Sequence, residues 1–312
     1  MPNLSKHQQA IIALIITNII WGAASPIFKW SLGNVGTFTL AFLRFFIAAY
    51  IILPFTYKKL SVKREHIYSL IIASTFGITL NISLFFLALP YTASINVPII
   101  GSSGPIMILF ASAIFLKEKL KRKVINGMLL SLIGILIIII VPVYKTGIDT
   151  SIIGNLLLVA ATISTVIHVI LLKKIAKFYD AMTLTFWSFI ISSMTFLPFM
   201  LNEIRVIGFL PNLGIQGIIG ILFGAFLSSA IAYGLYQFAV KYMNANETGI
   251  FTYLDPFPAI IIAIPLLGEK LTLEYMLGAI LVFLGIYLAE GRIHYHPIHL
   301  LRNMSKGLKS IV

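Results

Sequence analysis

The chain has no cysteine, which excludes disulfides, zinc–thiolate sites and iron–sulfur clusters. It is also poor in charge. Only 11% of its 312 residues are Asp, Glu, Lys or Arg, against about 25% in soluble domains, while 59% are hydrophobic. One water-facing fold cannot hide that much apolar surface, so the bilayer is its solvent. Acids are scarcest, with 10 Asp and Glu against 23 Lys and Arg, a net +13. A basic excess suits nucleic acid or a membrane surface. With no soluble domain left to carry a nucleic-acid site, it reads as Lys/Arg-rich loops against lipid. There is no H-E-x-x-H, no acid pair at metal-binding spacing within one span, and no ring-forming or filter motif. Those absences argue against an intramembrane enzyme, a metal or cofactor site and a passive channel.

What is present is a series of apolar segments of spanning length. Ten are expected, at 10–30, 37–57, 67–87, 93–116, 124–143, 152–172, 182–201, 213–239, 247–267 and 273–291. The start faintly resembles a signal peptide, but the apolar run continues through Phe28 to Trp30, which suits a retained span. With the N-terminus inside, 18 Lys/Arg fall on inner loops and termini and three on outer loops, while Lys29 and Arg44 lie inside spans. That bias predicts both termini in the cytoplasm of a bacterial inner membrane. The basic, mildly amphipathic tail, 292–312, is expected on the anionic inner leaflet.

The sequence also matches itself. Residues 91–120 align with 242–271 at an offset of 151, placing Tyr91 on Tyr242, Pro105 on Pro256 and Glu118-Lys119-Leu120 on Glu269-Lys270-Leu271. Gly127 and Gly134 then fall on Gly278 and Gly285, while 39–55 aligns with 183–199 at an offset of 144. Two repeats of five spans, 1–145 and 146–291, are predicted. An odd number of spans inverts the second copy, the arrangement of secondary transporters with a site near the midplane.

The segments "WGAASPIFK", "LAFLR", "YTASINVPIIGSSGP" and "FLKEKLKRKVINGMLLSLIGILII", the last echoed by "LLGEKLTLEYMLGAILVFLGIYLA", resemble the EamA family of the drug/metabolite transporter superfamily. The resemblance runs from about residue 10 to 291. It implies an all-α integral membrane fold of ten helices around a central cavity and transport of small metabolites, often export of amino acids or drugs. The family has an arginine at the position of Arg44, whose repeat counterpart is Ser188. Arg44 is therefore a candidate to grip a substrate carboxylate bidentately, or else it caps carbonyls or pairs with a structural acid.

Other polar groups in hydrocarbon mark candidate sites. Asp255 lies about 12 Å along its span, near the middle of a ~30 Å core. Pro256 and Pro258 beside it remove backbone donors, so "TYLDPFP" is expected to be a kinked, cavity-lining segment, with Pro105 marking the kink in the other repeat. Asp255 either contacts substrate or a coupling proton, or forms a structural ion pair. Lys29 either snorkels or meets ligand, and Trp21, Ser25 and Lys29 share a helix face. Glu247 caps a helix or couples protons. His168 is a proton relay or a neutral structural histidine. Asn81, Trp187, Tyr233, Tyr236 and Tyr253 are further cavity candidates. "GSSG" at 101–104 and "FGAFLSSA" at 223–230 read as close helix packing that also permits sliding.

The expectation is an alternating-access carrier for a small polar metabolite, a zwitterion such as an amino acid, coupled to a proton or a counter-substrate. A carrier of hydrophobic cations or drugs, with Asp255 as counter-ion, is the alternative. A nucleotide-linked cargo would want more cavity cations than the two found.

Overall fold

Lipid offers the backbone no hydrogen bonds, so a chain this apolar must satisfy its amides internally. It does so with helices. A computed structural model describes residues 4–116, 122–146, 151–173, 175–207, 213–243, 248 and 251–290, and among these there is no strand. The helices are α1 (Lys6–Ser31), α2 (Thr37–Thr56), α3 (Arg64–Ala88), α4 (Asn96–Gly101), α5 (Gly104–Leu116), α6 (Arg122–Thr146), α7 (Ser151–Lys173), α8 (Ala181–Ile207), α9 (Ile215–Tyr242), α10 (Pro256–Leu267) and α11 (Leu273–Glu290).

Seven helices are long and apolar enough to cross a membrane: α1, α2, α3, α6, α7, α8 and α9. The stretches expected as the fourth, ninth and tenth spans are shorter or broken. In the fourth, the hydroxyls of Ser102 and Ser103 bond back to the Pro98 and Ile100 carbonyls, each at 2.6 Å, where α4 ends. Gly104 begins α5, and Pro105 stands in its first turn, where a missing N–H leaves no bond unmade. In the ninth, a 3₁₀ turn at Phe251–Leu254 precedes Asp255, and Pro256 opens α10. Left-handed Gly268, at φ 66°, ends that helix.

Two helix pairs cross in opposite chain directions. Between α6 and α11, a Cβ added at Gly134 would lie 2.5 Å from the Gly278 carbonyl, and one at Gly278 would lie 2.7 Å from the Gly134 carbonyl. Gly285 meets the Gly127 carbonyl in the same way, and between these contacts Ser131 Oγ donates to the Val282 carbonyl at 3.1 Å. Between α2 and α8, Phe45 meets Phe189 with centroids 5.2 Å apart. Glu203 near the end of α8 accepts from the amides of Phe38 and Thr39 in the first turn of α2, at 3.0 and 2.8 Å. Those are orphan donors of a helix start, and a carboxylate suits them. At the far end, Lys59 after α2 pairs with Asp180 before α8 at 2.9 Å.

Helix α1 packs on α9 and α10, and α7 packs on α3 and α5. Both α3 and α9 contain a π-helical stretch, Thr75–Leu80 and Phe223–Ile231, where the i→i+4 ladder is interrupted. The outer surface is apolar, with Phe55, Phe115, Ile261 and Val206 among its exposed side chains. Such a surface is stable in lipid and not in water.

Candidate functional site

Arg44 is the most constrained charge in the fold. It projects from α2 and is only 4% exposed. Its Nε donates to Ser229 Oγ at 2.8 Å, and Nη2 donates to Ser228 Oγ at 3.1 Å. Phe28 and Phe45 cover the guanidinium, with ring centroids 4.9 and 4.7 Å from Cζ. Gly224 admits it, since a Cβ there would come 3.2 Å from Arg44 Cγ and Cδ. No carboxylate pairs with Arg44 among the described residues. Hydroxyls and ring faces solvate a cation but do not neutralise it.

Three more sequence candidates gather beside it. Trp21 on α1 donates Nε1–H to the Ser228 carbonyl at 3.1 Å. Its ring lies 5.4 Å from both Tyr233 and Tyr236. Tyr233 also meets Phe189 at 5.1 Å, and Tyr236 hydrogen-bonds Thr248. The π-helical stretch makes this convergence: it presents Ser228 and Ser229 to Arg44 and the Ser228 carbonyl to Trp21.

Asp255 packs on α1 at Gly22, the residue after Trp21. Its backbone packs on Gly22, where a Cβ would come 2.9 Å from Asp255 Cα. The Asp255 Oδ1 atom is buried and has no hydrogen-bond partner among the described residues. Asn18 Oδ1 and Ser25 Oγ are in the same condition.

The remaining candidates lie in other places. Lys29 donates to Glu269 at 2.9 Å and to the Thr92 carbonyl at 2.6 Å. Asn81 donates to the Ala161 carbonyl at 2.8 Å and to Thr165 Oγ1 at 2.9 Å. His168 lies against Gly77, with Nδ1 2.7 Å from the Ala73 carbonyl. Asn81 and His168 therefore stitch α3 to α7. Trp187 donates to the Leu60 carbonyl at 2.9 Å, near the start of α8. Tyr253 contacts Phe283 at 6.2 Å. Glu247 lies outside the described residues.

Ser228 and Ser229 lie in "FGAFLSSA", a run whose small residues read as close packing, and the structure gives them polar contacts with Arg44 as well. Adjacent serines in an apolar span, facing another span's arginine, were the available signal. Phe28, Phe45 and Glu269 carried no polar-in-apolar signal of their own.

The chain belongs to the EamA-like transporter family, which matches residues 8–140 and 152–290. It is a multi-pass membrane protein of a family of transporters rather than enzymes. It is 28% identical over 291 residues to the uncharacterized transporter YyaM of Bacillus subtilis, covering 92% of this chain and 95% of that one. It is 25% identical over 296 residues to a Salmonella typhimurium protein named "Probable amino-acid metabolite efflux pump", covering 91% and 95%. One crystal structure shares the fold at a TM-score of 0.63 and 15% identity, covering 90% of this chain and 96% of that one.

Proposed function

We propose that this protein exports an amino acid or a closely related metabolite by alternating access. The observation that carries this is Arg44: a buried cation with two serine hydroxyls, two aromatic faces and no acid among the described residues. The missing counter-charge is the substrate carboxylate, for which guanidinium geometry is suited. Trp21, Tyr233 and Tyr236 supply aromatic surface for the substrate's remainder and π-faces for its ammonium. Asp255, against Gly22 of α1, serves coupling. The naming of the Salmonella relative points the same way.

The carrier reading includes ten spans in two inverted repeats around a central cavity. The alignment offset of 151 makes Gly127 equivalent to Gly278 and Gly134 to Gly285, and the contacts run Gly134–Gly278 and Gly127–Gly285. Such exchanged pairing supports a twofold axis between α6 and α11. Phe45 and Phe189, equivalent at offset 144, support the same for α2 and α8. The lysine and arginine bias supports cytoplasmic termini in a bacterial inner membrane.

Counterflow in proteoliposomes loaded with pooled amino acids tests the function. Saturable counterflow of one amino-acid class, lost in Arg44→Gln protein that elutes as the wild type does, is expected. Wild-type rates in Arg44→Gln would sink the reading. The unpartnered Asp255 oxygen favours one other cargo, a hydrophobic cation, and counterflow of such cations without amino acids would establish it.

A further inference from the structure

The contact between α1 and the start of α10 holds oxygens without a partner among the described residues. Three of the four buried side-chain atoms lacking a partner among the described residues are Asn18 Oδ1, Ser25 Oγ and Asp255 Oδ1. Asn18 and Ser25 lie four residues before and three after Gly22, on the face of α1 that meets Asp255. Both are nearly fully buried, at 1% and 2% exposure. Two backbone carbonyls nearby lose their usual helical donor. Pro26 inside α1 removes the i+4 donor of the Gly22 carbonyl, and Pro258 removes that of the Leu254 carbonyl.

Such orphans are costly in a low-dielectric interior. They share one property: every unsatisfied atom is an oxygen able to accept, and no cationic side chain reaches Asp255 among the described residues. Ser25 Oγ and Asp255 Oδ1 also do not hydrogen-bond each other. A bound cation would satisfy them together, since each can donate a lone pair to it. Unwound backbone beside a carboxylate is a cation-binding construction in transporters.

From these observations, and taking the carrier reading as its frame, we infer that Asp255, Ser25 and the carbonyls of Gly22 and Leu254 bind a sodium ion that couples to transport. The all-oxygen donor set selects a hard cation. One carboxylate neutralises a single positive charge, so a divalent ion would leave an excess in low dielectric. Asn18 and Ser25 are about 10.5 Å apart along α1, too far to ligate one ion together. Ser25 shares a turn with the Gly22 carbonyl and is the ligand; Asn18 is the next oxygen along the same face, toward the N-terminus. A proton would satisfy one Asp255 oxygen and leave the hydroxyl and carbonyls as they are.

The site is tested by binding, apart from transport. Purified full-length protein in detergent is titrated with sodium chloride at constant ionic strength against potassium and choline chloride, with radioactive sodium binding in parallel. Saturable sodium binding and a Tm rise of about 3 °C or more at saturation are expected. Ser25→Ala should weaken sodium about tenfold, and Asp255→Asn should abolish the response. Equal Tm in all three salts, or an unchanged sodium response in Ser25→Ala, overturns the proposal. A stabilisation by acid alone, with no sodium binding, overturns it in favour of a proton. If Asp255→Asn does not fold, Ser25→Ala and the wild-type binding data decide. Amino-acid counterflow indifferent to sodium would overturn this inference and keep the carrier reading; sodium binding without any counterflow would keep the site and remove the cargo assignment.

Discussion

Lys29 Nζ lies 2.9 Å from Glu269 Oε1, so a lysine inside the first span is tied to an acid 240 residues later. Glu269 also accepts from the amides of Ser94 and Ile95, at 2.7 and 3.2 Å, and from Ser94 Oγ at 3.0 Å. One carboxylate thus gathers the end of α1, the approach to α4 and the turn after α10. Glu269→Gln keeps the shape and removes the charge. It should cost about 1–3 kcal/mol, the range for charge-assisted bonds, because Lys29 is only partly screened by solvent. A detergent-solution melting curve checks this; an unchanged Tm would show the network to be incidental.

Arg44→Lys separates charge from geometry. An ammonium keeps the positive charge but loses the fork that reaches Ser228 and Ser229 together. Counterflow efficiency should fall at least about tenfold in Arg44→Lys and further in Arg44→Gln. Equal effects of the two substitutions would mean that charge is not what the site uses.

The α6–α11 seam leaves no room for a side chain at Gly134. Gly134→Val should destabilise by about 1–3 kcal/mol or more, the scale of overpacking in a close-packed core. Gly101, where an added Cβ meets nothing within 4 Å, is the control. Thermal stability of Gly134→Val and Gly101→Val reports the difference. Similar loss in both would place the cost in helix propensity instead.

Asp180 sits outside the spans and is held below the usual carboxylate range, first by the Lys59 hydrogen bond and then by the Met182 amide. A lowered carboxylate stabilises above its unfolded pKa and loses that contribution as pH falls through the folded one. The gap in Tm between wild type and Asp180→Asn should therefore be present at neutral pH and close in acid, below about pH 4. Both partners are well exposed, so the gap corresponds to at most about 1 kcal/mol and shrinks with salt. A gap that widens in acid would contradict the pairing.

Much of the plan was legible because membrane solvent simplifies the problem. Apolar runs had to become helices, and the prolines after Asp255 mark a kink, which the structure resolves as a 3₁₀ turn followed by a new helix. The pairing of Arg44 with Trp21, Tyr233 and Tyr236 was legible only as a set of candidates, since spans far apart in sequence carry no register for one another. Ser228 and Ser229 reach Arg44 through a π-helical stretch, which shifts the face by an amount that 3.6-residue periodicity does not anticipate. Lys29 and Asn81 show the opposite case. Polar groups in apolar runs drew attention, and the structure spends them on ties between elements, to Glu269 and to α7.

The glycine seam has a consequence for how the two halves of the chain can change. Where side chains meet, an enlargement on one partner can be offset by a reduction on the other. Gly134 and Gly278 already carry the smallest side group there is, and each faces the other's main chain. No second substitution across the contact restores the room that a first one takes. The two positions form a lock without a compensating key, and any repair must come from moving α6 and α11 apart as whole helices.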